Sequence, residues 1–488
     1  MQRSSGDEVV LWGDATIEME FGRIDLEHSF PTDDASAALF DLMDSQRAAQ
    51  AYVWSLPLVG FAVFRDQQAS AFGANQPGDF VVFESLREKR GIVTANLTTP
   101  YVLNWTNLAD GPIVIDYPAG QTAGGVLDFW QRPVADLGLT GPDRGMGGRY
   151  LLLGPAENSA ASGGAGEVTV IQSATNNVLI GLRLLDPDPA AALAFKQAVR
   201  MGRVGQESGA VRFIEGLDRE WSATPPRGLD YWRLLAKTLD EEPVREVDKI
   251  MMAMLEPLGI AKGVAFDPDR RQRRILIEAA AVGELMIRNI QVNPRYTRPY
   301  WDGTSWYKSF DFDTSQETES KLQLDERATW FYEAVTSSKG MVYPEPGSGQ
   351  VYMTTKRDNA GHLLRADRTY RLHVPADVPV AQFWSLTLYS ENTRRLYENG
   401  GTTGRSVNLD SRDEMLAYNP DGSIDLYIGP EPPPGAESNW LKTISPDGWF
   451  VYFRLYAPTE AWFDKSWALP DFEPITPGDT PAASTDNS

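Results

Sequence analysis

The stretch TTPYVLNWTNLADGPIVIDYPAG, residues 98–120, followed by LDFWQRPVADLGLTGPDRGMGGRYLLLGP, residues 127–155, carries the pattern that sets the fold. Short apolar runs alternate with Asn, Asp, Gly and Pro, which is how strands joined by tight turns are written. Tyr101, Asn104, Trp105, Asp128, Trp130, Gln131 and Arg132 crowd into these corners. They read as β corners whose polar and aromatic side chains line a cleft.

Outward from this stretch the same punctuation continues through DFVVFES, GIVTANL, EVTVIQS and NVLIGLRLL. Residues 36–54 read as a helix ended by Pro57, and 186–202 as a helix with Pro189 in its first turn. The segment 226–290 changes character and reads as a helical insertion. There Pro243 suits a first helical position and Gly259 a stop, while Asp267 suits an N-cap with Pro268 after it. Ile275, Ala279, Val282 and Met286 recur at helical spacing and predict a buried face. Arg270, Arg271, Arg273 and Arg274 oppose the helix dipole and call for acidic partners.

From 291 onward aromatic-rich strand patterns return, among them QVYMTTKRD, TYRLHVP, FWSLTLY, GSIDLYIGP and WFVYFRLYAP. The expected class is α+β and β-rich, with two β-sandwich or jelly-roll-like lobes and a helical insertion between them. The expected boundaries are 1–225, 226–290 and 291–475, with a flexible Pro/Ser/Thr-rich tail at 476–488. An internal echo links GPIVIDYPAG to TYRLHVPAD and GRYLLLGPAE to IDLYIGPEPP, which suggests two related β units.

A chain of 488 residues exceeds one core, so two or three structural units are expected. Its net charge of −22 repels polyanions, and the single basic run at 267–274 is too local to imply nucleic-acid binding. Without cysteine there is no disulfide and no thiolate metal site. No apolar run is long enough to span a membrane. MQRSSGDEVVLWGD lacks the apolar core of a secretory signal, which implies a cytoplasmic protein unless a leader has been removed.

Several chemistries are excluded. There is no G-x-S-x-G elbow and no P-loop, and the glycines of GPDRGMGGRY precede a strand, so they serve turns. His362 and His373 could share one face of a hairpin turning at Ala366-Asp367 and offer two metal ligands. A one-residue shift of register would part them. Among the carboxylates, Asp128 stands beside Phe129-Trp130, where burial would raise its pKa; pairing to Arg132 or Arg149 would make it structural instead. Tyr101 could transfer a proton, with Asn104 and Gln131 holding a substrate carbonyl or carboxylate. Trp105, Trp130, Trp301, Trp306, Trp384 and Trp440 offer faces for a sugar ring or serve as core.

In TTPYVLNW, GPIVIDYPAG and DFWQRPVADLGLTGPDRGMGGRYLLLGP, then NPDGSIDLYIGPEPPPGAESNWLKT and FVYFRLYAPTEAWFDKSWALPDFEPI, the chain resembles a bacterial tandem family. Its first part is the domain of unknown function 1254, over roughly 60–185, and its second is 1214, over roughly 370–475. The resemblance implies a β-rich, two-domain protein that forms homo-oligomers, and export in many members. It adds Asn439, Trp440 and Arg454 to the candidate site but supplies no reaction. The expected function is an enzyme that hydrolyses, or eliminates from, a neutral carbohydrate or polar small molecule in a cleft between the β domains. Tyr101 and Asp128 would move protons there, while Asn104, Trp105, Trp130, Gln131, Arg132, Asn439, Trp440 and Arg454 would hold the ligand. The alternative is a non-catalytic glycan-binding or envelope-associated assembly protein. A metal-dependent enzyme rests only on the two histidines, and no cofactor is expected.

Overall fold

Among the described residues, alternating apolar residues with frequent turn formers yield five separate sheets, and longer apolar stretches without turn formers yield helices. Helix and strand each take 28% of the described residues, which makes this a mixed α+β protein, and no sheet among them closes into a barrel. A computed structural model describes residues 11–157, 168–186, 188–206, 208–216 and 219–475. The expected tail at 476–488 and the first ten residues lie outside the described residues. Two compact units emerge. One holds the residues up to Ser55 with Arg227–Asp240 and Val244–Met286; the other holds Leu56–Pro226, Glu241–Pro243 and Ile287 onward.

In the first unit a three-stranded sheet, Ala15–Met19, Gly22–Glu27 and Phe30–Pro31, precedes the helix Asp33–Phe72, which belongs to the second unit from Leu56 onward. Asp33 and Asp34 suit the helix N-terminus because their negative charges meet the positive end of its dipole. The helix does not end at Pro57 but carries it in its interior. An interior proline costs about 3 kcal/mol through a lost hydrogen bond and a ring clash. Almost every residue from Ala51 to Phe64 is buried. Each large apolar side chain there contributes about 1.5–3 kcal/mol, so burial wins.

The helices Leu229–Glu241, Lys249–Leu255 and Arg270–Val292 follow in the 226–290 segment. Pro243 starts no helix; it lies in the turn after Glu241. Asp269, not Asp267, caps the last helix: its carboxylate accepts from Gln272 N, and Gln272 Oε1 accepts from Asp269 N, both at 2.8 Å. The expected acidic partners of the arginines are Asp41 and Asp44, with Arg271 bonded to Asp41 at 2.6 Å and paired with Asp44 at 2.9 Å. Ile275 and Ala279 are buried, but Val282 and Met286 are exposed, because the stripe runs instead through Leu276, Ala280, Ile287 and Ile290. Gly283 lies on that line, where a Cβ would stand 2.6 Å from the Tyr52 ring.

The second unit begins with two sheets that share one core. A six-stranded sheet runs in the order Arg212–Glu215, Asp79–Phe83, Tyr101–Asn107, Asn177–Leu184, Thr122–Asp128, Pro133–Gly138. A five-stranded sheet contains Ile113–Tyr117 and Gly148–Leu153 as an antiparallel pair. Val102, Val126, Ile180 and Leu182 of the first meet Ile113, Ile115, Tyr150 and Leu152 of the second in one cluster. On the other face of the six-stranded sheet, Trp105 receives Phe61 and Phe64 of the long helix at 4.9 and 5.5 Å between ring centres.

Further along, a five-stranded sheet runs Tyr307–Lys308, Gln350–Thr354, Trp449–Tyr456, Trp384–Ser390, Asn408–Asp410. A four-stranded sheet runs Trp440–Lys442, Ile424–Gly429, Tyr370–Val374, Glu473–Pro474. Tyr370–Val374 and Ile424–Gly429 pair antiparallel, as do the two strands that echo them in sequence. The hairpin expected at Ala366-Asp367 does not form, because Tyr370–Val374 takes its partners from 424–429 and 473–474 instead. No helix among the described residues is long and apolar enough to cross a membrane.

Candidate functional site

The strands Gln350–Thr354, Trp449–Tyr456 and Trp384–Ser390 lie side by side, so every second residue faces the same way. One face is apolar: Val351, Met353, Val451, Phe453, Leu455, Leu386 and Leu388. The other carries Gln350, Tyr352, Tyr452, Arg454, Tyr456, Ser385, Thr387 and Tyr389. Burying so polar a face is costly unless its groups find partners. Most of those partners come from the segment 94–101. Tyr389 donates to Ala95 O at 2.8 Å, Asn96 Nδ2 donates to Tyr456 at 2.7 Å, and Arg454 donates to Thr94 O at 3.3 Å. Thr94 itself has φ +42°, a strained value for a β-branched residue, and is held there by bonds to Arg394 O and Glu333 O.

Arg454 is the centre of this face, with 1% of its surface exposed. Its guanidinium lies 5.0, 5.2 and 5.6 Å from the ring centres of Tyr352, Tyr452 and Tyr389. It donates to Thr387 Oγ1 at 3.0 Å, while its Nε has no partner. Ser385 Oγ, directly across the strand, and Gln350 Oε1 are likewise buried without partners. Arg183, the last residue but one of the strand Asn177–Leu184, has its guanidinium 5.8 Å from the Tyr101 ring, and Lys89 Nζ lies 5.0 Å from the same ring. Arg454 and Tyr389 are buried, whereas Tyr101 and Arg183 are only half-buried, so the cluster reaches outward at that end.

The electrostatics are one-sided. Burial works against the charge of Arg454, but the oxygens of Tyr389, Tyr456, Tyr352 and Tyr101 outweigh it and hold its pKa above the ordinary guanidinium value. Burial opposes the charge of Arg183 too, and Tyr101, Tyr352 and Tyr456 again offset it. Burial pushes Tyr352 up to about 12 and raises Tyr101 as well, so at neutral pH these phenols are uncharged. No carboxylate is among the groups acting most strongly on either arginine. Lys89, fully buried, is lowered to about 8, first by burial and then by Arg183.

Of the side chains expected to form the site, Tyr101 and Arg454 are brought into this cluster. Asp128 is not. It lies level with Thr106, five residues along the strands from Tyr101, or about 17 Å at the rise of an extended chain. Its carboxylate accepts from Trp130 N and Arg132 N and pairs with Arg132 at 2.7 Å. Asn104 is buried with its amide on Pro77 O and Asp79 O. Gln131, at φ +64°, donates to Pro57 O and accepts from Thr336 N. Asn439 braces Ala417 and Asp425 O, and Trp440 donates to Gly429 O. Trp105, Trp130, Trp301, Trp306 and Trp384 are buried, and Trp440 is half-buried. His373 bonds Asp425 at 2.9 Å and His362 lies near Asp358, so they bring no shared ligand set; no metal-binding cluster occurs among the described residues.

Lys89, Asn96, Arg183, Tyr352, Tyr389, Tyr452 and Tyr456 were not singled out from sequence. A signal existed: WFVYFRLY, QVYMT and WSLTLYS each place hydroxyl or charged residues at alternate positions of an otherwise apolar strand.

The division of the cluster between two halves of the chain matches the comparisons with known proteins. Residues 77–203 match the protein of unknown function DUF1254, and residues 349–460 match the protein of unknown function DUF1214. The chain carries both domains, 1254 ahead of 1214. Tyr101, Lys89 and Arg183 belong to the first, and Tyr352, Tyr389, Arg454 and Tyr456 to the second. The crystal structure of the VPA0106 protein from Vibrio parahaemolyticus is similar in fold, with a TM-score of 0.52 at 15% identity over 89% of this chain and 100% of that one. An uncharacterized protein from Burkholderia cenocepacia aligns with a TM-score of 0.39 at 10% identity over 90% and 96% of the two chains. No curated protein matches the sequence.

Proposed function

We propose that the Tyr101–Arg183–Arg454 cluster binds a small organic anion between the 1254 and 1214 domains. Tyr101 is the proton donor there for a hydrolysis or elimination. The observation that carries this is a buried guanidinium, Arg454, whose Nε is unpartnered and whose neighbours are neutral phenols. No carboxylate is among the groups that act most strongly on this buried cation, and an anionic ligand would supply the missing counter-charge. The acidic chain repels anions at long range, so selectivity would come from these local cations. Tyr101 accepts from Asn96 N at 2.8 Å, which leaves its own proton available. Its raised pKa keeps the phenol protonated at neutral pH, the form a proton donor needs. The ligand supported here is charged, where the sequence suggested a neutral carbohydrate. Most of the tryptophans that would stack on a sugar are buried in the core, which weighs against a glycan-binding surface.

Calorimetric titration with acetate, succinate, inorganic phosphate and glucose tests this. At least one anion should bind at least tenfold more tightly than glucose, and Arg183→Met should remove that preference. Binding of glucose alone, or anion binding unchanged in Arg183→Met, would overturn the proposal.

A further inference from the structure

Among the described residues of this unit, Lys89 and Lys356 leave little of their side chains exposed, and they differ in one respect. Lys356 is clamped between Glu333 at 2.7 Å and Glu391 at 2.8 Å, and those carboxylates hold it protonated. Lys89 is fully buried, and its nitrogen makes a single described hydrogen bond, to the carbonyl of Thr99 at 2.7 Å. An ammonium has three protons to place, so one acceptor leaves it poorly solvated. Arg183 adds like-charge repulsion, while Glu84 and Glu88 act more weakly in the other direction. An amine desolvated beside another cation is activated as a nucleophile toward carbonyl carbon. Lys89 and Arg183 both lie beside one ring, 5.0 and 5.8 Å from the centre of Tyr101, and they act on each other electrostatically, so the two cations are close neighbours.

We propose that Lys89 forms an imine with a carbonyl compound that also carries a carboxylate, a 2-oxo acid, with the carboxylate held by Arg183 and Arg454. This rests on the anion-binding reading of the same cluster. The Nζ lone pair attacks the carbonyl carbon, and the C=O π pair moves to oxygen. Proton transfer from nitrogen to that oxygen gives a carbinolamine. Tyr101 then donates its proton as the C–O bond breaks, water leaves, and the nitrogen lone pair closes the C=N bond. The nitrogen proton returns to Tyr101, so amine and carbonyl become imine and water with no oxidant or reductant.

The test is incubation of the protein with pyruvate and cyanoborohydride, which reduces an imine to a stable amine, followed by intact-mass measurement and peptide mapping. The expected result is one adduct, on Lys89, that needs both reagents, exceeds modification of any other lysine at least tenfold, and is suppressed by excess acetate. Lys89→Arg and Lys89→Met should both lose it. Calorimetry with pyruvate is run in parallel. Pyruvate binding without modification of Lys89 would overturn the imine and leave the anion site standing. Modification spread evenly over surface lysines would overturn it equally. Failure of pyruvate, acetate, succinate and phosphate all to bind would overturn both.

Discussion

Arg454→Met separates a functional arginine from a structural one. In the native protein the guanidinium gains three aromatic contacts at 5.0–5.6 Å and a hydrogen bond to Thr387, with a longer one to Thr94 O. Cation–π contacts of this kind contribute about 1 kcal/mol each. A hydrogen bond from a charged donor adds about 1.5–3 kcal/mol. Against roughly 5 kcal/mol of gain stands a desolvation penalty of several kcal/mol for an ion that makes no ion pair among the described residues. The two nearly cancel. Methionine fills much of the same volume, and Thr387 keeps its bond to Asn408 at 2.7 Å. Urea unfolding of Arg454→Met should therefore fall within about 1 kcal/mol of the native protein. Anion affinity should fall far more, by about 2–5 kcal/mol, or some thirtyfold upward, because the ligand's charge loses its buried partner. Stability lowered by more than about 3 kcal/mol with anion binding intact would refute the reasoning, since Arg454 would then be a structural group.

Asp79 is buried, accepts from Asn75 and Gln76 N and pairs with Arg212 at 2.8 Å. Burial works against its charge, but these donors together hold its pKa below 3.8. Such a group contributes stability above pH 3.8 that is lost as pH falls through the native pKa. Asp79→Asn should lower stability at pH 7 by about 1–3 kcal/mol and flatten the acid limb, as read by urea unfolding at several pH values. Gly91→Ala places a Cβ 2.2 Å from the Trp221 ring, itself packed on Phe64, Phe72 and Phe83. Overpacking this rigid cluster should cost about 3 kcal/mol, visible as a lowered thermal midpoint.

The parts of the fold that could be read from sequence are those set by neighbouring residues. The strand runs, the helix with Pro189 at its first position and the need of the arginine run for acidic partners follow from local chemistry; that Asp41 and Asp44, far off in the chain, meet that need does not. What local pattern cannot report is how both faces of an element are used. Pro57 stays helical because its surroundings are buried. Val282 and Met286 are exposed because the buried stripe is rotated from theirs. The site shows the same limit. Asp128 and Asn439 were conspicuous because they sit at corners, and corners are where polar side chains tie down backbone. Arg454 was conspicuous only through the family motif, although a charge in the middle of WFVYFRLY is a physical anomaly in itself. Lys89 is hidden in LREK, which reads as an ordinary charged surface turn; only the fold reveals that it points inward.

Anomalous diffraction from crystals soaked in bromide tests most directly whether buried cations here await an anion. The predicted result is a bromide peak beside Arg454 Nε, on the side of Arg183 and Tyr101. Bromide elsewhere on the protein with none at this cluster, or a protein carboxylate pairing with Arg454 in the crystal, would contradict it.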